Sequence, residues 1–162
     1  MRRFLVLFVA ALLWWSGASG QSAQFTELYS MAGESLKKGA EGITTAEISG
    51  KMLRELMPSS AKKELHFVNR IEKIRQVKFA PVADKSLYSQ IEAVAADVRV
   101  YEQMSFINED GQRVGVYKAK NSRQTRSEYL ILISKNGAAM ACDIVGNISM
   151  KDILNLLYGK VK

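Results

Sequence analysis

The sequence predicts an α+β domain: an antiparallel sheet of about four to six strands with helices packed on one face, behind a cleaved signal peptide. Three observations predict it. Four strand-like runs follow one another from Val98 to Val145, two of their junctions being Asp110-Gly111 and Asn136-Gly137, pairs that tolerate the positive φ of tight hairpins. Helix-spaced apolar residues recur before and after them. The first twenty residues have the layout of an export signal.

That layout is a short basic start, Met1-Arg2-Arg3, then Phe4 to Trp15 with no charge, then the small residues Ser16 to Gly20. The apolar run is twelve residues long. At about 1.5 Å per residue it spans ~18 Å of a ~30 Å hydrocarbon core, too little for a membrane anchor. Cleavage after Gly20 or after Ala18 releases the chain, so the expected location is periplasmic or secreted, with no transmembrane segment in the mature chain. The only cysteine is Cys142, so no lipid-attachment cysteine stands at the cleavage zone. Phe4 directly follows the arginine pair, which favours the ordinary unfolded-chain export route over the twin-arginine one.

Residues 21–162 are the size of one domain and carry no cysteine pair for an internal disulfide. Gln24 to Lys38 places Phe25, Leu28, Tyr29, Ala32 and Leu36 at helical spacing, closed by Gly39 and Gly42. Ile43 to Ile48 is a Thr-rich strand candidate. Ser49 stands at a cap position before Lys51 to Met57, which Pro58 stops. Ser59 or Ser60 caps another short helix through Phe67. Ile71 to Phe79 mixes both periods, and a strand from Ile74 fits it best. Asp84 then caps a helix with the stripe Leu87, Tyr88, Ile91, Val94 and Ala95.

Val98 to Ile107 alternates, with Val98, Val100, Met104 and Phe106 assigned to one face. Arg113 to Lys118 returns after Asp110-Gly111, and Asn121 to Thr125 is a polar loop. Glu128 to Ser134 and Ala138 to Val145 pair across Asn136-Gly137. Ser149 with Asp152 makes an Asp form of the capping box, Met150 to Tyr158 is the last helix, and Gly159 ends it.

The formal charge is +7, of which Arg2 and Arg3 leave with the signal. Excess cation favours anionic surfaces, but no aromatic-interleaved basic stripe of the single-strand-binding kind is present, so no nucleic acid is expected. The basic stretch Lys118, Lys120, Arg123 and Arg126 is the candidate contact for an anionic partner, together with the free face of the sheet.

The runs Tyr101-Glu102-Gln103-Met104, Glu109 to Val114, Val116-Tyr117, Tyr129 to Ser134 and Gly146 to Ile153 resemble a family of exported proteins from Gram-negative bacteria. So do the Phe25…Leu28-Tyr29 helix and the Ile48-Ser49-Gly50-Lys51-Met52 junction. The family is catalogued as domain-of-unknown-function family 4252. The resemblance implies a periplasmic or surface location and a compact α+β domain; it carries no catalytic residues across.

Catalytic and metal-binding sets are missing from the sequence. His66 is the only histidine and is far along the chain from Cys142. No Gly-x-Ser-x-Gly elbow and no phosphate-cradling glycine loop occurs. Turn chemistry accounts for Asp110, and core filling accounts for the dispersed methionines. Cys142, in a strand-like run, reads as a buried core thiol. No catalytic residue, cofactor or metal is therefore assigned. The expected role is that of an exported non-enzymatic envelope protein that binds an unknown protein or an anionic envelope component. Alternatives are an accessory to envelope signalling or stress regulation, and an enzyme with a non-obvious site.

Overall fold

A computed structural model of the chain describes residues 22–158. The signal segment 1–20, its two cleavage points and the Gly159 helix stop lie outside the described residues. Helix α1 (Ala23–Lys37) is followed by β1 (Ile43–Ser49), α2 (Gly50–Leu56), α3 (Ser59–Glu64), a 3-10 turn (His66–Arg70) and β2 (Ile71–Phe79). Helix α4 (Ser86–Ala95), strands β3 (Tyr101–Glu109), β4 (Gln112–Ala119), β5 (Ser127–Lys135) and β6 (Ala138–Gly146), and helix α5 (Met150–Tyr158) complete it.

The strands form one antiparallel sheet in the order β1-β2-β6-β5-β4-β3. Its β3-to-β6 part is a run of successive antiparallel neighbours. Asp110 (φ 50°) with Gly111 (φ 71°), and Asn136 (φ 51°) with Gly137 (φ 77°), take the left-handed conformation that matches strand twist. The β1–β2 pair then docks beside β6, placing β2 next to the last strand of the meander.

The α+β class and the antiparallel sheet are those the sequence predicts. The helices, however, lie on both faces of the sheet and not on one. Alternation sends Leu130 and Leu132 to a first face, where Val77, Phe79 and Ala141 meet Phe25, Leu28, Leu87 and Ile91 of α1 and α4. Tyr129 and Ile131 point to the second face, with Val116 and Ile144, against Phe67 and Val68 of the 3-10 turn, Ile148, and Ile153 of α5. The reason is visible in β5, whose first six residues are all buried. A strand apolar on both sides needs a layer on each.

Some local expectations also shift. Strand β2 begins at Ile71, and an irregularity between Ile71 and Lys73 absorbs the helix-like spacing there. Strand β3 begins at Tyr101. A bulge between Gln103 and Ser105 breaks its alternation, and Met104 and Phe106 are exposed, as is Val98 in the turn before the strand, so the three build no common core face. Asp84 accepts from the Ser86 amide at 2.8 Å, yet the cap position itself is Lys85, whose ammonium holds the Ala80 and Ala83 carbonyls at 2.6 and 2.9 Å. Helix α3 has Pro58 at its cap with no side-chain cap bond, so neither Ser59 nor Ser60 caps it, and it ends before Phe67, which lies in the 3-10 turn; the Ser49 and Ser149 caps are as the sequence indicates. The Ser49 hydroxyl accepts from the Met52 amide at 3.2 Å. Ser149 and Asp152 exchange bonds, the Ser149 amide to Asp152 Oδ2 at 2.8 Å and the Asp152 amide to Ser149 Oγ at 3.3 Å.

Candidate functional site

Charged side chains meet in the interior on the first sheet face. Arg75 and Asp143 are cross-strand partners in β2 and β6, and Leu130 is the β5 partner of Asp143. Glu128, two residues before Leu130, therefore shares the face and lies diagonal to Asp143. Arg75 is 4% exposed, and Asp143 and Glu128 are fully buried. The Arg75 guanidinium donates to Asp143 Oδ2 from Nη2 at 3.1 Å and from Nε at 3.4 Å. Its Nη1 and Nη2 also reach Thr26 Oγ1 on α1, each at 3.3 Å. The guanidinium carbon lies 5.2 Å from the Phe25 ring centroid and 5.3 Å from that of Tyr29, within cation–π range.

A second branch starts at Tyr101 on β3. Its hydroxyl donates to Glu128 Oε1 at 3.2 Å and lies 2.6 Å from Ser22 Oγ, the cap of α1. Burial raises the Asp143 carboxyl to about 8; the negative charge of Glu128 adds to this and the Arg75 guanidinium opposes it. Burial, then Glu128, also raises the Tyr101 phenol. Glu128 and Asp143 thus act on one another directly, and the Arg75 guanidinium is in contact with Asp143. The chain Ser22–Tyr101–Glu128–Asp143–Arg75–Thr26 thus runs from one side of the first turn of α1 through the sheet and back to it. None of these residues lines either of the surface depressions at the hairpin end of the sheet. Sequence reasoning missed the cluster because strand register brings its members together from distant parts of the chain; Asp143 within Ala-Cys-Asp-Ile-Val was the available signal.

Cys142 points the opposite way, into the second core, where burial and then the Asp143 charge push its thiol up to about 12. The thiolate, the reactive form, is therefore disfavoured. A thiol-specific disulfide reagent should leave it untouched for hours in the native protein and modify it within minutes in denaturant; rapid native labelling would contradict this burial. His66, at the start of the 3-10 turn, is exposed. Among the described residues, no group of three or more His, Cys, Asp or Glu side chains is placed to hold a metal ion.

The four basic candidates lie at the end of β4 and in the connection to β5. Lys118 is half-buried on β4, opposite Tyr129. Lys120 and Arg123 are exposed, and Arg126 pairs with Glu72 through Nε to Oε2 at 2.8 Å. Arg123 and Arg126 are joined through their backbones, at 2.8 and 3.1 Å.

The free sheet face is found on the second side, at the hairpin end. Thr44 of β1, Lys78 of β2, Ala138 and Met140 of β6, and Ile133 and Lys135 of β5 line an open depression of about 530 Å³. Its floor is apolar, its rim carries the two lysines, and no acidic side chain lines it. These residues come from four strands, so only the sheet order brings them together. Among the described residues, no helix is long and apolar enough to cross a membrane.

No curated protein and no solved structure matches the chain. A family model matches residues 34–156, a span that includes Arg75, Tyr101, Glu128 and Asp143 but not the Ser22 to Thr26 turn that covers them. The match extends over most of the chain: the protein belongs to the family described as Domain of unknown function (DUF4252).

Proposed function

We propose that this protein is an exported, non-enzymatic binding domain that holds an anionic amphiphile of the envelope on the open part of its second sheet face. The observation that carries the reading is the apolar floor of Ile133, Ala138 and Met140 set between Lys78 and Lys135. An apolar floor gains from covering an acyl chain, and two cations without a facing carboxylate favour an anionic head group. The signal-like segment 1–20 supports the compartment, and the net positive charge supports attraction to anionic envelope surfaces. The sealed position of the Arg75–Asp143–Glu128 cluster supports a structural and not a catalytic use of the charged groups.

Calorimetric titration with lauroyl lysophosphatidylglycerol below its micelle concentration tests this. Lysophosphatidylcholine of the same chain length is expected to bind more weakly by about tenfold, the value of ~1.4 kcal/mol for a lost charge contact. The double reversal Lys78→Glu and Lys135→Glu should remove the preference. Equal binding of both lipids, or a preference that survives the double reversal, would sink the reading. Loss of the preference on reversing Arg123 and Lys120 instead would move the site to the β4–β5 loop.

A further inference from the structure

We infer that the cleft between α4 and the first sheet face is a second binding site, one that takes a small zwitterion of the amino-acid class with its carboxylate on Arg113 and its ammonium on Glu92. Strand register sets Arg113, Ser134, Ala139 and Phe79 side by side across β4, β5, β6 and β2. Above this row, Lys85, Tyr88, Ser89 and Glu92 follow one another at the spacing of a single face of α4. Tyr88 joins the two layers: its ring meets Phe79 edge-on with 5.5 Å between centroids, and the residue is only 6% exposed. Ser134 and Ala139 are the small members of the row, and a depression of about 330 Å³ stays open beside them. That volume is at the lower end of the ~300–1,000 Å³ range of small-molecule sites.

The groups around the cleft suit a molecule with one charge of each sign. Glu92 is the one acidic side chain that lines it and comes from the helix, whereas Arg113 comes from the sheet. The two are not in ion-pair contact with each other or with any other described residue. Both act on the Tyr88 phenol, which burial and then the Glu92 charge push up to about 12 while Arg113 opposes them. The phenol is therefore a neutral hydroxyl that can donate and accept in the field of both charges. The other lining cations are placed differently. Lys85 commits its ammonium to the Ala80, Pro81 and Ala83 carbonyls. Lys135 is exposed at the rim, on the hairpin that also borders the open depression of the second face. Arg113 thus offers a forked donor to a carboxylate, and Glu92 an acceptor to an ammonium. A plain anion would gain from Arg113 but meet the charge of Glu92, and a plain cation would meet the reverse.

Amide-shift titrations of the labelled protein with L-alanine, N-acetyl-L-alanine and L-alaninamide test the assignment. Alanine carries both charges, and each derivative keeps one. Alanine is expected to move the Tyr88, Ser89, Glu92, Arg113 and Ser134 amides together, with saturation. It should bind about tenfold more tightly than either derivative, the factor for one lost charge contact. Glu92→Gln should remove the advantage over N-acetylalanine, and Arg113→Gln the advantage over alaninamide. Both side chains lie outside the two cores, so these variants are expected to fold. Lys78→Glu alters the second face alone and should leave all three affinities unchanged, which separates this site from the amphiphile reading. Equal binding of alanine and N-acetylalanine would reduce the cleft to an anion site and overturn the proposal. So would the absence of saturable shifts at the cleft, an advantage that survives either Gln variant, or a loss of alanine binding in K78E.

Discussion

Replacing Arg75 with Met should cost about 3–5 kcal/mol of stability at pH 7, the range for removing one partner of a buried ion pair. Methionine has nearly the volume of the guanidinium stem but no charge, so Asp143 and Glu128 remain in the interior without their cation. Thr26 loses its donor and the Phe25 and Tyr29 faces lose theirs. The loss should shrink as pH falls, because protonating Asp143 removes charge from the site. Urea denaturation at pH 5, 7 and 8 measures it. In the unaltered protein, the raised Asp143 means that the folded state holds a proton the unfolded state has released. Its stability should therefore fall as pH climbs from the ordinary carboxylate range toward about 8, with a slope approaching ~1.4 kcal/mol per pH unit for one proton. Arg126→Ala is the control. Its partner Glu72 is about half exposed, and an ion pair of that kind contributes about 0–1 kcal/mol. An R75M loss no larger than the R126A loss would show that the cluster does not organise the first core.

Gly146→Ala should be nearly as damaging, for a reason of shape and not of charge. A Cβ at Gly146 would stand 2.3 Å from the Arg70 carbonyl oxygen and 2.9 Å from Ile71 Cα. Both obstacles are backbone, so no side chain can swing aside. Gly50 meets the same constraint from the other side, with its Cβ position 2.0 Å from the Ile71 carbonyl oxygen. These two glycines let β6 and α2 close on the turn entering β2, where the Asn147 amide donates to the Arg70 carbonyl at 3.0 Å. Forcing that junction apart should cost about 2–3 kcal/mol, as overpacking against an unyielding wall does. Gly33→Ala makes the comparison, since nothing lies within 4 Å of its Cβ position inside α1 and Ala should gain about 0.5–1 kcal/mol there. Thermal unfolding should therefore shift down for G146A and up for G33A. Equal shifts would contradict the close backbone approach.

Local chemistry is what the sequence displays most clearly. Asp110-Gly111 and Asn136-Gly137 form the hairpins they advertise, and Ser49 and Ser149 cap the helices that follow them. The run Glu128 to Ser134 was legible as a strand, but its lack of alternation also encoded burial on both faces, which places helices on both sides of the sheet. The β3 bulge was not legible, because Met104 and Phe106 alternate plausibly until Val116 takes Ser105 as its register partner. Of the candidate site, the basic loop was visible as a composition, whereas Glu72, the residue that pairs with Arg126, lies 54 positions away in sequence. The open face and the buried cluster were invisible for a common reason. Each is assembled across strands by register, Lys78 opposite Met140 and Arg75 opposite Asp143, and register is a property of the folded sheet.

The most direct test of the binding reading is an amide-shift map of the isotopically labelled protein titrated with lauroyl lysophosphatidylglycerol below its micelle concentration. Binding on the open face should move the Thr44, Lys78, Ile133, Ala138 and Met140 amides together, with saturation and a single affinity. Shifts confined to Lys120–Arg126, or none at all at saturating lipid, would contradict it.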